Sequence, residues 1–345
     1  MTDTEYHFYS SDPKKVIKEL GADILKEDLN KMLLIRNFEA RAESAYQQGK
    51  IGGFFHSYSG QEAIQTACIR AMGVKNWYIA TYRCHALALL LGAGTDEVMA
   101  EFYGKVTGNA MGRGGSMHLY TDRLLGGFAI VGGHTPVAAG AAFSLEYLGK
   151  KDEVALCFLG EGAVAQGAFH ESLNMASLWN LPCIYVIENN QWGMGTAVNR
   201  AICVQPIAEK MASSYNMKSY TLDGMDYTNT YAAFKHIHEE TLQTRRPVLV
   251  EAVTQRFKGH SISDPGFYRT KEELEKAKQR DPIILLKNYL IESNMLTEDE
   301  FKEMNKQNIE IVKKSMEFAE KSPAPDPLTL EEGVFAPEDE NIMGY

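Results

Sequence analysis

The chain has 345 residues, 45% of them hydrophobic and 23% charged, with a formal net charge of −10, the make-up of a globular protein of one large or two small domains. Lys and Arg are neither in excess nor clustered, which excludes a nucleic-acid surface, and no apolar run reaches the roughly 18 residues a membrane span needs. Cys68, Cys84, Cys157, Cys183 and Cys203 lack CxxC spacing and read as small buried hydrophobes in a reducing compartment; the start MTDTEYHFYSSDPKK has the character of neither a secretory signal nor a presequence, so a cytoplasmic location is expected.

Residues 1–25 read as an N-terminal arm. Over residues 26–48, Leu29, Leu33, Phe38, Ala42 and Ala45 recur near helical spacing and Gly49 follows as a stop, which predicts a packing helix. The string GGFFHSYSGQEA (52–63) runs from a turn-rich start into a helix from about Gly60. In it His56 stands beside Phe54 and Phe55, either satisfied inside an aromatic cluster or turned toward a site. Residues 76–81 predict a strand that delivers Tyr82, Arg83, Cys84 and His85 at its end. An arginine there is either a surface residue without a partner or a phosphate ligand, since its planar fork matches two phosphoryl oxygens.

Between Gly104 and Gly140 glycine recurs at 108, 112, 114, 115, 126, 127, 132 and 133. Backbone this rich in glycine is no plain helix or strand, and it either is a linker or folds tightly against a ligand. The interspersed Met111, Met117, Leu119, Leu124, Phe128, Ile130 and Val131 favour the ordered alternative.

Residues 154–196 follow, reading VALCFLGEGAVAQGAFHESLNMASLWNLPCIYVIENNQWGMGT. An apolar run ends in Gly160-Glu161-Gly162, a helical pattern comes next, and a second apolar run ends in Glu188-Asn189-Asn190. In a parallel sheet the C-terminal strand ends share an edge, so Glu161 and Asn190 can converge there. Flanking glycines admit a diphosphate, and two hard oxygen ligands suit Mg²⁺, although Gly-acid-Gly turns also occur in sheets that bind nothing. Residues 219–223 and 247–254 predict two further strands around a helix at 226–244, giving a parallel sheet with helices on both faces. Residues 256–270, RFKGHSISDPGFYRT, predict a long loop that is either a lid or mobile surface, without evident core contacts. Helices are then expected at 271–278 and 282–293, and from a Thr297 cap, with Glu300 completing a capping box, to about Lys321. Residues 322–345 are expected as an extended tail or one draped over a partner.

The 154–196 span resembles the thiamine diphosphate motif, with Glu161 where most of that superfamily has Asp. More closely, the chain is similar to the α subunit of the E1 component of 2-oxo-acid dehydrogenase complexes. Gly114-Gly115-Ser116-Met117-His118 and the string HSISDPG match its pyruvate and acetoin branches, whereas Glu161 is usual in the branched-chain branch. The resemblance implies a single α/β thiamine-diphosphate-binding domain over residues 1–345, with added N- and C-terminal helices. It also implies thiamine diphosphate and Mg²⁺ as cofactors. Tyr82 and Arg83 would then hold the diphosphate, Ala129 and Val131 would meet the aminopyrimidine through main-chain groups, and Glu161, Gly162, Ala163, Asn190 and His260 would complete the cofactor site. The metal would take Glu161, Asn190 and the main-chain carbonyl of Trp192. His56 and His260 would handle charge and protons, and Ser261 stands at the position phosphorylated in mitochondrial members. No stretch resembles the second module, which carries the glutamate that activates the aminopyrimidine. A β subunit is therefore implied, in an α2β2 heterotetramer that serves a lipoylated E2 acyltransferase. Oxidative decarboxylation of pyruvate is the expected reaction, with acetoin or a branched-chain 2-oxo acid as alternative substrates and a catalytically silent scaffold subunit as the alternative of another class.

Overall fold

The computed structural model of the chain describes residues 4–332. Six strands form one parallel sheet: β1 (Trp77–Thr81), β2 (Leu124–Phe128), β3 (Ala155–Gly160), β4 (Cys183–Asn189), β7 (Lys218–Asp223) and β8 (Val248–Val253). Two short strands between them, β5 (Trp192–Gly193) and β6 (Thr196–Ala197), pair antiparallel in a separate ribbon. The sheet order is β2-β1-β3-β4-β8-β7, so the chain steps outward from β1 to β2 and returns to the other side of β1 as β3. That reversal is the switch point where α/β sheets open a crevice beyond their C-terminal strand ends.

The first five residues of the central strands β3 and β4 are apolar throughout and buried, because both faces of the sheet are covered there. Along β3, Leu156 and Phe158 enter a core shared with Ile64 and Cys68 of α2 (Glu62–Met72) and Phe234 and Ile237 of α9 (Tyr227–Thr244). Cys157 and Leu159 enter the opposite core with Ala138 and Ala142 of α5 (Thr135–Tyr147) and Phe169 and Leu173 of α6 (Gly167–Leu178). Helices thus lie on both faces, as expected. Cys68, Cys84, Cys157 and Cys183 are buried and Cys203 is exposed. Among the described residues no helix is long and apolar enough to cross a membrane.

The N-terminal arm is shorter than the sequence suggested. Helix α1 runs Pro13–Gln47, capped by Asp12 with Pro at its first turn, and so takes in half of the expected 1–25 arm. Gly21, at φ 74°, kinks α1 and interrupts the periodicity that would have revealed its start. Leu29, Phe38, Ala42 and Ala45 are all fully buried.

The glycine-rich stretch is ordered, and much of its tight folding has a protein partner rather than a ligand. Glu101, at the end of α4 (Thr95–Phe102), accepts backbone N–H bonds from Ala110, Gly112, Gly114 and Gly115 at 2.8, 2.9, 2.6 and 3.0 Å. A Cβ on Gly108 would collide with Glu101 itself.

After α10 (Lys271–Lys278) and α11 (Pro282–Glu292), α12 spans Glu298–Lys321 with the Thr297/Glu300 capping box in place. Thr297→Ala should lower the unfolding free energy by about 1 kcal/mol, the usual worth of an N-cap side chain; an unchanged urea midpoint would show that α12 does not depend on its cap. Past α12, Arg113 donates to the carbonyls of Thr329 and Glu332, so the start of the tail lies against the glycine-rich segment. The remainder of the tail expected over 322–345 lies outside the described residues.

Candidate functional site

Three neighbouring strands end at one crevice. Tyr82 and Arg83 follow β1, Gly160-Glu161-Gly162 closes β3, and Asn190 follows β4, with Gly160 paired opposite Glu188. The Asn190 N–H donates to Glu161 Oε2 at 3.1 Å, and Asn190 Oδ1 accepts from the Trp192 N–H at 3.3 Å. These ends open on a cavity of about 1000 Å³, the upper end of the range for small-molecule sites. Glu161, Gly162, Ala163, Asn190 and Trp192 line it at the sheet edge, and Ala129, Val131, His56, Tyr82, Arg83, His260 and Ser261 line it as well. The structure thus brings to one place every residue that the resemblance assigned to the site, while Gly114, Gly115, Ser116 and His118 of the matching string lie outside the lining. Ala129 has no positive φ, so its side chain costs no backbone strain there.

Three of the lining side chains, His56, Tyr82 and His260, cluster ring against ring. His56 lies 4.2 Å from the Tyr82 ring and 5.0 Å from the His260 ring, centroid to centroid. Burial, reinforced by the Arg83 guanidinium, pushes the His56 imidazole down to about 2 and His260 down to about 4, so both are neutral at physiological pH. His56 Nδ1 is buried without a hydrogen-bond partner, which leaves a donor or acceptor available to a ligand. Arg83 is held by the carbonyls of Ser57 (2.6 Å) and His260 (2.5 Å); burial lowers it to about 10 and it stays charged. Burial raises the Glu161 carboxyl, against the pull of its own and Asn190's backbone N–H groups and of Arg256 and Arg83.

Two buried charged residues of the cavity lining were not assigned to the site from the sequence. Glu188 is buried on β4, where its Oε1 accepts from Tyr58 Oη at 2.5 Å and Gln65 Nε2 at 3.1 Å, and burial pushes its carboxyl up to about 7. Arg256, 1% exposed, donates to the carbonyls of Trp192 (3.3 Å) and Met194 (3.2 Å) and to Tyr268 Oη (2.8 Å). No local pattern marks either, since both depend on partners distant in sequence.

Residues 256–270 form a loop, as expected, but the loop is far from lacking contacts. Asp264 accepts from the His260 N–H, the Gly266 N–H and Tyr268 Oη at 2.6, 2.8 and 2.6 Å. The Ile262 and Phe257 N–H groups bond to the carbonyls of Phe55 and Ser59, each at 3.0 Å. Ser261 is buried, with its Oγ 2.9 Å from Ser263 Oγ. The expectation of a loop free of core contacts failed because Asp264 supplies a hub that Gly-Pro-Ser composition does not announce.

An acid and an amide on adjacent strand ends, facing two buried arginines across a roomy crevice, define an α/β protein with a binding edge for an anionic ligand. The chain belongs to the dehydrogenase E1 component family, whose model matches residues 30–328. It is similar to the pyruvate dehydrogenase E1 component subunit alpha of Rickettsia felis, 41% identical over 297 residues, which cover 86% of this chain and 90% of the relative. The subunit of the same name from Porphyra purpurea is 40% identical over 321 residues, covering 91% and 92%. The chloroplastic subunit alpha-3 of Arabidopsis thaliana is 40% identical over 328 residues, covering 93% and 76%.

Proposed function

We propose that this chain is the α subunit of a pyruvate dehydrogenase E1, which with thiamine diphosphate and Mg²⁺ decarboxylates pyruvate oxidatively and passes the acetyl group to a lipoyl group of an E2 acyltransferase. The observation that carries the reading is the Glu161–Asn190 pair on adjacent strand ends, in one cavity with Tyr82, Arg83, His56 and His260.

The residues present fit the cofactor. A carboxylate accepts at several positions, and the Asn190 N–H takes one of those on Glu161. The Trp192 carbonyl accepts one 3.3 Å bond from Arg256 and retains a second lone pair. Glu161, the Asn190 amide oxygen and the Trp192 carbonyl would thus hold Mg²⁺ through oxygen. Among the described residues no group of three or more His, Cys, Asp or Glu could hold a metal by itself, which accords with an ion that depends on diphosphate oxygens as well. Gly162 and Gly193 lie against each other on the cavity lining, the Cβ that Gly162 lacks falling 3.5 Å from the Gly193 Cα, and two neighbouring residues without side chains leave bare backbone for a diphosphate to approach.

When bound, thiamine diphosphate supplies the carbanion that adds to a 2-oxo acid and takes up electrons as CO₂ leaves. The chain's own residues bind, orient and exclude water. Arg83 would set a fixed positive charge, and Tyr82 a hydroxyl, for the diphosphate. His56 and His260 are held neutral by burial, so each can donate an N–H hydrogen bond to developing negative charge, and His260 is the less weakened base of the two. Residues 256–270 wall off solvent. Ala129 and Val131 offer main-chain groups to the aminopyrimidine. Ser261 stands on the cavity wall, where a phosphate would set negative charge against the diphosphate, a regulatory role in keeping with the resemblance. The aminopyrimidine-activating glutamate comes from a β subunit in an α2β2 assembly.

Co-purified αβ complex should release CO₂ from pyruvate faster than from branched 2-oxo acids and faster than it cleaves acetoin, whereas the α chain alone should turn over nothing. Decarboxylation by the α chain free of any partner, or a preference for another substrate, would overturn the corresponding part of this assignment.

A further inference from the structure

Asn190 projects into the cavity from a turn whose two flanking residues are held from behind by the N-terminal arm. Tyr6 Oη accepts from Asn189 Nδ2 at 3.3 Å and from Gln191 Nε2 at 3.2 Å. Asn189 is fully buried, and its amide is saturated. Its oxygen accepts from the Gln191 backbone N–H and from Gln191 Nε2, both at 3.0 Å, and its nitrogen also donates to Glu251 Oε1 at 2.7 Å. Gln191 adopts φ 73°, a left-handed conformation that a side chain disfavours and that surrounding bonds must hold. The turn around Asn190 is therefore not fixed by local geometry alone.

The arm is itself moored. The Tyr9 N–H donates to the Thr221 carbonyl of edge strand β7 at 2.8 Å, Asn229 Nδ2 donates to the Tyr9 carbonyl at 2.7 Å, and Thr4 Oγ1 donates to Gln205 at 3.1 Å. Phe8 stacks on Tyr6 with ring centroids 6.1 Å apart. Burial raises the Tyr6 phenol, and the carboxylates of Glu251 and Glu161 add to that shift, so Tyr6 lies within electrostatic reach of the cavity acid. Its hydroxyl stays neutral and keeps its acceptor lone pairs for the two amides.

From this geometry we infer that the N-terminal arm is a working part of the cofactor site, with Tyr6 as a positioning residue that fixes Asn190 by gripping Asn189 and Gln191. The inference rests on the reading of Glu161 and Asn190 as metal and diphosphate ligands. Groups bonded directly to metal ligands typically change metal affinity by about 10 to 100-fold when removed; Tyr6 acts one step further out, through the residues on either side of Asn190, so the lower end of that range applies. Coupling is reciprocal, so a ligand that needs the docked arm must also tighten it.

The test uses Tyr6→Phe in the co-purified αβ complex, with Mg²⁺ and thiamine diphosphate titrated by calorimetry. The variant should lose roughly 10-fold in Mg²⁺-dependent cofactor affinity, while the KM for pyruvate at saturating cofactor and the thermal midpoint of the cofactor-free complex stay at wild-type values. In the wild type, amide hydrogen exchange of residues 4–9 should slow when the cofactor is added, and in Tyr6→Phe this response should shrink. Wild-type affinity in Tyr6→Phe, or arm exchange that ignores the cofactor, would overturn the positioning role and leave the assignment of the site intact. Failure of the wild-type complex to bind the cofactor would instead overturn the assignment, and the inference with it.

Discussion

Glu161→Gln should cost the αβ complex about 100-fold or more in Mg²⁺-dependent thiamine diphosphate affinity, beyond the usual effect of an outer-sphere change, while leaving the cofactor-free protein at least as stable as the wild type. The two expectations have opposite signs for one reason. Burial raises the Glu161 carboxyl, so its ionised form is costly until a cation offsets the charge. Glutamine keeps an oxygen for the Asn190 N–H, now at 3.1 Å, and carries no charge to desolvate, so the fold loses nothing. The metal, in contrast, loses the one carboxylate among its expected protein ligands. Calorimetric titration of the complex, paired with a thermal melt without cofactor, separates the two effects. Unchanged affinity in Glu161→Gln would remove Glu161 from the metal's coordination.

Glu101→Ala should be among the most damaging single changes outside the cavity. Four backbone N–H groups, from Ala110, Gly112, Gly114 and Gly115, share this one carboxylate. Hydrogen bonds to a charged acceptor contribute about 1.5 to 3 kcal/mol each, and orphaned buried donors carry a further penalty. Even with partial rescue by water, a loss of about 4 kcal/mol or more is expected, a large part of the 5 to 15 kcal/mol that typically separates folded from unfolded states. The damage should spread along the chain. Ser116 Oγ and its carbonyl each lie 3.0 Å from His85 Nε2, whose Nδ1 is 2.8 Å from Glu39, and the segment leads on to Ala129 and Val131. Urea denaturation should show the lowered midpoint, and hydrogen exchange should show residues 108–118 losing protection first. An unchanged midpoint with that protection intact would mean that the glycine backbone holds itself without Glu101.

Features written in short range were the legible ones. The Thr297 cap and Glu300 are three residues apart, and the apolar runs that became β3 and β4 bury both faces of each strand, so periodicity and capping chemistry located them. Tyr82, Arg83, Glu161 and Asn190 stood out as candidates because they follow runs that read as strands, with glycine, acid and amide at the ends, whereas His56, Ala129, Val131, His260 and Ser261 were assigned only through the family resemblance. Arg256 and Glu188 were not, because their meaning lies in partners such as Trp192, Met194, Tyr58 and Gln65, which the fold alone brings near. The glycine-rich stretch was rightly read as ordered. Its partner Glu101 was missed because no residue type near a helix end announces that four amides will converge on it. Asp12 and Pro13 did carry a helix-start signature, but the break at Gly21 hid the pattern behind it.

The hold of Tyr6 on the turn around Asn190 also dictates an order of assembly. Tyr6 meets Asn189 and Gln191 across 183 and 185 residues of chain, and its neighbour Tyr9 docks on Thr221 of the edge strand β7. During synthesis the arm emerges before the strands it docks on, yet it has nothing to bind until β4, β7 and β8 have joined the sheet. Contacts this distant in sequence form late, once the intervening chain has already shortened the loop to be closed. Seating of the arm thus comes after the sheet is built, so for this segment the order of synthesis is reversed in the order of folding: it is made before the strands it docks on and finds its place after them.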